Sequence, residues 1–203
     1  MTEGVLTADR ILDAAEQVLT RYGLAKATVV DVARALGVSH GSVYRHFPSK
    51  AALRDAVTER WLARVSDPLA VIVAEDGPAP ERLRRWFDTL IAKKRQKVRA
   101  EPELFATYQA IFAESRTVIR AHVETLAGHL ASIVADGVRR GEFAAVDPEH
   151  TGRAIFYATA RFQDPSHAAE WNEPGVDQAF EDVWTLIMRG LAPAGQAKRG
   201  KAR

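Results

Sequence analysis

The chain predicts an all-α fold. Apolar residues recur at i, i+3, i+4 and i+7 along most of its length, and no segment sustains the period-two alternation of a half-buried strand. Gly and Pro fall where such runs should stop. The pattern divides into a small three-helix head, a linking helix and a larger helical body, about nine or ten helices in all. The expected bounds are 5–65 for the head, 66–191 for the body, and 192–203 for a basic tail whose Ala/Gly/Lys/Arg composition predicts disorder.

In chain order, Thr7 caps a first helix carrying Ile11, Ala14, Ala15, Val18, Leu19 and Tyr22, with a stop at Gly23. Thr28 caps a second, whose Val29, Val32, Ala33 and Leu36 form one stripe. Gly37 ends it where a left-handed residue is wanted, and Val38 serves as an apolar peg. Ser39 caps the third helix, with Val43 and Phe47 inward. Ser49 caps a fourth through Leu53, Val57, Trp61 and Val65, with a kink or break expected at Asp67-Pro68.

The loop Glu75-Asp76-Gly77-Pro78-Ala79-Pro80 separates this from a fifth helix over 80–99, which turns Leu83, Trp86, Phe87, Leu90 and Ile91 inward. Pro102 opens a sixth with Leu104, Phe105, Tyr108, Ile111 and Phe112. A seventh over 116–139 carries Val118, Ile119, His122, Val123, Leu126, Leu130, Ile133 and Val134, and stops at Gly141. Asp147-Pro148 leads into an eighth through Phe156, Tyr157 and Phe162. A short turn or helix near Trp171 follows, then a last helix over 174–191 with Val176, Phe180, Val183, Trp184, Ile187 and Met188.

Composition narrows the function classes. With no cysteine among 203 residues, disulfides, thiolate metal sites and a cysteine nucleophile are excluded. No secretory leader and no run of roughly 20 apolar residues is visible, so a cytoplasmic protein without membrane partner is expected. Gly-rich phosphate loops, a nucleophile elbow, HExxH and paired carboxylates in apolar context are missing, which argues against an enzyme. His122 and His129 share a helix face but stand about 10 Å apart along the axis, too far for one ion. No metal and no cofactor is assigned.

The net charge of +2 is small, so affinity for nucleic acid has to come from where charge sits. Residues 28–47 have the layout of a helix-turn-helix. Around inward Val43 and Phe47, the third helix leaves Gly41, Ser42, Tyr44, Arg45 and His46 outside: small residues for close approach, donors for phosphates and base edges. Capping alone would explain Thr28 and Ser39 in any helical protein, and His46 would serve as a surface residue packed on Phe47. Their joint occurrence on one outward face favours DNA.

ILDAAEQVLTRYG followed by ATVVDVARALGVSHGSVYRHFPSKAALRDAV resembles the TetR family of bacterial one-component transcription regulators. The likeness covers about the first 65 residues; the rest agrees in length and helical layout only. The resemblance implies a homodimer whose two heads read a palindromic double-stranded DNA operator, the third helix entering the major groove and the start of the fourth touching the backbone. On this chain it implies phosphate contacts from Thr28, Ser39, Tyr44 and His46, and base contacts from His40, Gly41, Ser42 and Arg45. Lys50 adds charge at a helix N-terminus that favours anions. Arg45 is expected to make the strongest base contact, since its fork fits guanine O6 and N7. Val30, apolar where many relatives are polar, is assigned no contact.

An aromatic stripe in the body is by itself more often core than pocket. The resemblance implies an apolar cavity between helices five to eight for an unidentified small-molecule effector, with Trp86, Phe105, Tyr108, Gln109, Phe112, His122, Tyr157 and Arg161 as candidate lining. Arg161 is expected either to pair an acid at a subunit interface or to meet an anionic ligand. The last two long helices, roughly 148–163 and 174–190, are expected to form a four-helix bundle between subunits through Phe156, Phe180, Val183, Trp184 and Ile187. The run Lys93-Lys94-Arg95-Gln96-Lys97-Val98-Arg99 reads as a solvated face; with the resemblance, Lys93, Lys94 and Lys97 are expected to attract phosphates. The expected function is transcription regulation by a repressor that a small molecule releases from its operator. The alternatives are a DNA-binding factor whose body binds a protein partner or no ligand, and an enzyme.

Overall fold

The structure, a computed structural model, describes residues 5–100 and 102–193; the side chains of 24–26, 102–104 and 107 lie outside that description. The expected inward Leu104 and nearly all of the basic tail therefore fall outside the described residues. Among the described residues the chain is all-helical, with no strand: α1 (Ala8–Lys26), α2 (Val29–Leu36), α3 (His40–His46), α4 (Lys50–Ala74), α5 (Ala79–Ala100), α6 (Pro102–Glu114), α7 (Arg116–Arg139), α8 (Pro148–Ala158), α9 (Ala160–Gln163), a 3-10 helix (Pro165–Asn172) and α10 (Val176–Leu191). Among the described residues no helix is long and apolar enough to cross a membrane.

The caps sit where the sequence places them. Thr7 accepts from the Arg10 N–H, and Asp147 accepts from that of His150 with Pro148 at the first helical position. Gly23, at φ 71°, interrupts α1 near its end. Two boundaries differ from expectation. Pro68 neither ends nor breaks α4, because the helix carries its apolar face on through Leu69 and Ile72, both buried. The eighth helix, in turn, does not run through Phe162. It stops at buried Thr159, whose hydroxyl donates to the Ile155 and Phe156 carbonyls at 2.9 and 3.0 Å, and a separate short turn, α9, follows.

The chain forms two compact units, Met1–Arg64 with Glu101–Ala121, and Val65–Ala100 with His122–Arg203. The first holds the core of α1–α3: Ile11, Ala15, Val18, Val29, Val32 and Val43, joined by Val57 and Trp61 of α4. It also takes in α6. Ile111 is fully buried there, Tyr108 and Phe112 pack against the same core, and Tyr108 meets Trp61 edge-on. A polar cluster fastens the α6–α7 junction to α4. Ser115 Oγ donates to Asp55 Oδ1 at 2.6 Å, Arg54 Nε donates to Ser115 Oγ at 3.2 Å, and Arg54 pairs with Glu114.

The second unit is built on Trp86, Phe87 and Leu90 of α5 against Leu126, Leu130, Ile133 and Val134 of α7, with Phe156, Phe162 and Phe180 completing the core. Phe180 meets Phe162 and Phe87 with ring centroids 5.3 and 6.1 Å apart. Buried Arg82 pairs with Asp136 and donates to the Val73 and Glu75 carbonyls, both at 3.1 Å, so the loop before α5 is held by hydrogen bonds. Gly152 lets α8 lie directly on α7: a Cβ there would stand 2.5 Å from the Ala131 nitrogen.

Candidate nucleic-acid interface

Local sequence explains how the recognition helix is presented. Gly37 adopts φ 68°, and its N–H and that of Val38 return to the end of α2, so the chain turns sharply into Ser39. Ser39 accepts from the Ser42 N–H at 3.2 Å and starts α3. Val43 is fully buried and Phe47 packs against the head core; that anchors one side of the helix and aims the other outward. His40, Gly41, Tyr44, Arg45 and His46 are exposed and Ser42 is half-buried. All six α3 residues that the sequence assigned to DNA thus lie on this short helix, and Ser39 and Lys50 flank it, exposed.

Within that face the polar groups are linked. Arg45 Nη2 donates to Ser42 Oγ at 3.1 Å, and the Ser42 and Ser39 hydroxyls are 3.0 Å apart. Successive residues three apart stand one above the other on a helix, so this chain runs along the axis and holds the guanidinium over the helix surface. His40 and Tyr44 meet edge-on, ring centroids 6.3 Å apart. Ser49 accepts from the Ala52 N–H at 3.0 Å, leaving Lys50 in the first turn of α4.

Thr28 caps α2 as the sequence predicts. Asp31 completes a capping box with it: the Thr28 N–H and hydroxyl donate to Asp31 Oδ2 at 3.1 and 2.6 Å, and the Asp31 N–H donates to Thr28 Oγ1 at 3.2 Å. The Thr28 hydroxyl, with the adjoining backbone and Arg34, holds the Asp31 carboxyl below its usual range even against partial burial. The Thr28 hydroxyl and N–H are therefore both engaged by a carboxylate of the protein at the start of α2. Val30, just beside it, is half exposed.

The body candidates divide between the units. Phe105, Tyr108, Gln109 and Phe112 lie on α6 in the first, and Trp86, His122, Tyr157 and Arg161 lie in the second. Trp86 is buried and its Nε1–H donates to His129 Nδ1 at 3.4 Å. Tyr157 is exposed. Arg161 does not face the interior: the stop at Thr159 takes it off the apolar stripe, and its Nε donates to Glu170 Oε2 at 2.8 Å on the surface of its own subunit. Among the dimer candidates, Phe156 and Phe180 are buried in the subunit's own core, whereas Val183, Trp184 and Ile187 are half-buried against it. Among the described residues no three His, Asp or Glu side chains are grouped to hold a metal.

Sequence reading missed Lys94. It belongs to the basic run assigned to a solvated face and to phosphate attraction, yet its ammonium turns inward and donates to the Gln163 backbone oxygen at 2.6 Å and to Oε1 at 3.3 Å. The signal was its phase: Lys94 stands four residues after Leu90 and eleven after Leu83, in line with the buried stripe.

The chain is similar to known proteins in both parts. The family profile described as "Bacterial regulatory proteins, tetR family" matches residues 11–57, and "Tetracyclin repressor-like, C-terminal domain" matches residues 79–184. An uncharacterized HTH-type transcriptional regulator of Mycobacterium tuberculosis is 36% identical over 103 residues, which is 51% of this chain and 49% of the relative, so the match spans about half the relative's length. The HTH-type transcriptional repressor KstR2 of Rhodococcus jostii is 26% identical over 193 residues, 90% of this chain and 89% of its own. Among solved structures, Thermus thermophilus FadR, a TetR family repressor in complex with lauroyl-CoA, superposes with a TM-score of 0.61 at 21% identity over 91% of this chain and 94% of that one.

Proposed function

Because the chain belongs to the TetR family of DNA-binding transcriptional regulators, we propose that it represses transcription by occupying a palindromic operator as a homodimer, and that a small molecule bound by its body releases it. The observation that carries this reading is the outward face of α3, where small and hydrogen-bonding side chains surround Arg45 on a helix pinned from behind by Val43. A helix so presented fits the major groove: Gly41 and Ser42 permit close approach, Arg45 reaches a guanine edge, and Tyr44, His46, Ser39 and Lys50 meet flanking phosphates. Phosphate contacts set affinity and register; Arg45 and its neighbours set sequence.

Release by a small molecule requires that it bind the DNA-incompetent arrangement of the dimer more tightly than the competent one. KstR2, a repressor, supports the repressor reading, and Thermus thermophilus FadR, solved with lauroyl-CoA bound, supports a ligand. Chromatin immunoprecipitation combined with transcript measurement in a deletion strain tests the repressor reading. A bound site beside a gene whose transcript rises on deletion supports it. A fall in that transcript makes the protein an activator, and absence of any bound site removes the proposal.

A further inference from the structure

Among the described residues, the second unit holds a partly buried cation that no carboxylate pairs with. Lys94 of α5 is half-buried, and the acceptors of its ammonium are the two oxygens of Gln163 named above, both neutral. Gln163 is 2% exposed and is itself held by its Nε2–H donating to the Phe156 carbonyl at 3.4 Å. The acid whose field reaches Lys94 is Asp164, but its carboxylate accepts from the Ser166 N–H and hydroxyl at 2.8 and 2.7 Å and forms no ion pair with the ammonium. An ammonium has three N–H donors, so the third finds no acceptor among the described residues.

Across from it on α7, the His122 ring has no hydrogen-bond partner among the described residues, and it lies close enough to Lys94 to feel its charge. His129, two turns on, accepts at Nδ1 from Trp86 and so carries its proton on Nε2. Burial pushes Lys94 down to about 8; burial, then Lys94 and His129, push His122 down to about 4. One positive charge and two neutral imidazoles therefore stand on α5 and α7 of the unit whose core holds Leu90, Leu126, Phe156 and Phe162.

A partly buried ammonium with only neutral acceptors lacks a single negative charge beside it. We propose that Lys94, His122 and Gln163 are the polar end of the effector site and take a small organic monocarboxylate, whose carboxylate pairs with the ammonium and accepts the imidazole N–H while its apolar body lies along the aromatic core. One ammonium beside neutral imidazoles matches a monoanion; a phosphomonoester dianion would bring a second charge with nothing to meet it. The assignment rests on the ligand-responsive reading above and replaces Arg161 as the residue that meets an anion.

The test titrates the full-length protein by calorimetry with straight-chain acids from acetate to dodecanoate, and with benzoate and phenylacetate, each beside its primary amide. At least one acid is expected to bind over about tenfold more tightly than its amide, a factor worth about 1.4 kcal/mol. Lys94→Met and Lys94→Gln, the second keeping a donor for the Gln163 carbonyl, are expected to bring that ratio close to unity while operator affinity without ligand stays unchanged. A second readout is proton uptake: near pH 8, acid binding draws a proton onto Lys94 in the wild type and not in Lys94→Met. The inference is overturned if no acid outbinds its amide, or if the preference survives in both variants. Operator release is scored separately. A neutral compound that releases DNA sinks the carboxylate site and leaves ligand response standing, whereas a Lys94-dependent acid that leaves operator affinity unaltered does the reverse.

Discussion

Thr28 is both a cap and a candidate phosphate ligand, and its geometry separates the two roles. Its hydroxyl and N–H are already committed to Asp31, so any phosphate has to compete with a carboxylate of the protein. Thr28→Ala is therefore expected to cost about 1 kcal/mol of stability by urea unfolding, with Thr28→Ser restoring most of it. Unchanged stability together with weakened DNA binding would make the hydroxyl a phosphate donor instead. His122 gives a pH prediction. Its imidazole titrates near 4 in the fold and near 6.5 when unfolded, so between those values the unfolded chain binds a proton that the folded chain refuses. That contribution is present above 6.5 and is lost as pH falls toward 4. Desolvation and the facing Lys94 and His129 cause it. His122→Gln should reduce the stability lost between neutral pH and about pH 5 by on the order of 2 kcal/mol; an unaltered pH profile would contradict the burial of this ring beside Lys94.

At the scale of the element, the helix-turn-helix was legible because each of its rules is local. A cap and its N–H partner are three residues apart, Gly37 needs only its own φ, and Val43 and Phe47 are one turn apart. α6 was less legible. Periodicity shows that Ile111 and Tyr108 belong on an apolar face but not which core that face joins, and only tertiary packing places them against the head. Arg161 was misplaced because a run of helical residues gives no warning of the stop at Thr159, which resets the phase beyond it. Lys94 was misread because five of the seven residues from Lys93 to Arg99 are basic, and charge outweighed phase. The α7–α8 crossing offers a direct check. Gly152→Ala would push a methyl against the backbone of Ala131 and Ala127, where no side chain can swing away. A loss of about 1–3 kcal/mol or more is expected, read as a lowered Tm with a normal far-ultraviolet spectrum. A Tm equal to wild type would mean that the helices are less closely packed than described.

For the whole molecule, a lone α3 face reads too few base pairs for useful specificity, so the proposed repressor needs two heads. Phe156 and Phe180 are used within the subunit, which moves the expected contact onto the outer sides of α8 and α10, where Tyr157 and Leu186 are exposed beside half-buried Trp184 and Ile187. Light scattering at micromolar concentration is expected to give twice the chain mass, and Leu186→Glu to shift it toward the monomer; a monomeric wild type would end the two-headed account.

The central claim, that α3 reads sequence through Arg45, is tested most directly by selection from a random duplex pool with the wild type and Arg45→Ala in parallel. The wild type is expected to enrich a palindrome with guanine at one position of each half-site. Arg45→Ala should lose preference at that symmetric pair alone, by about 1–3 kcal/mol, while Lys50→Ala weakens all sequences alike. An enriched motif that is unchanged in Arg45→Ala, or wild-type binding that is salt-dependent but enriches no motif, would contradict it.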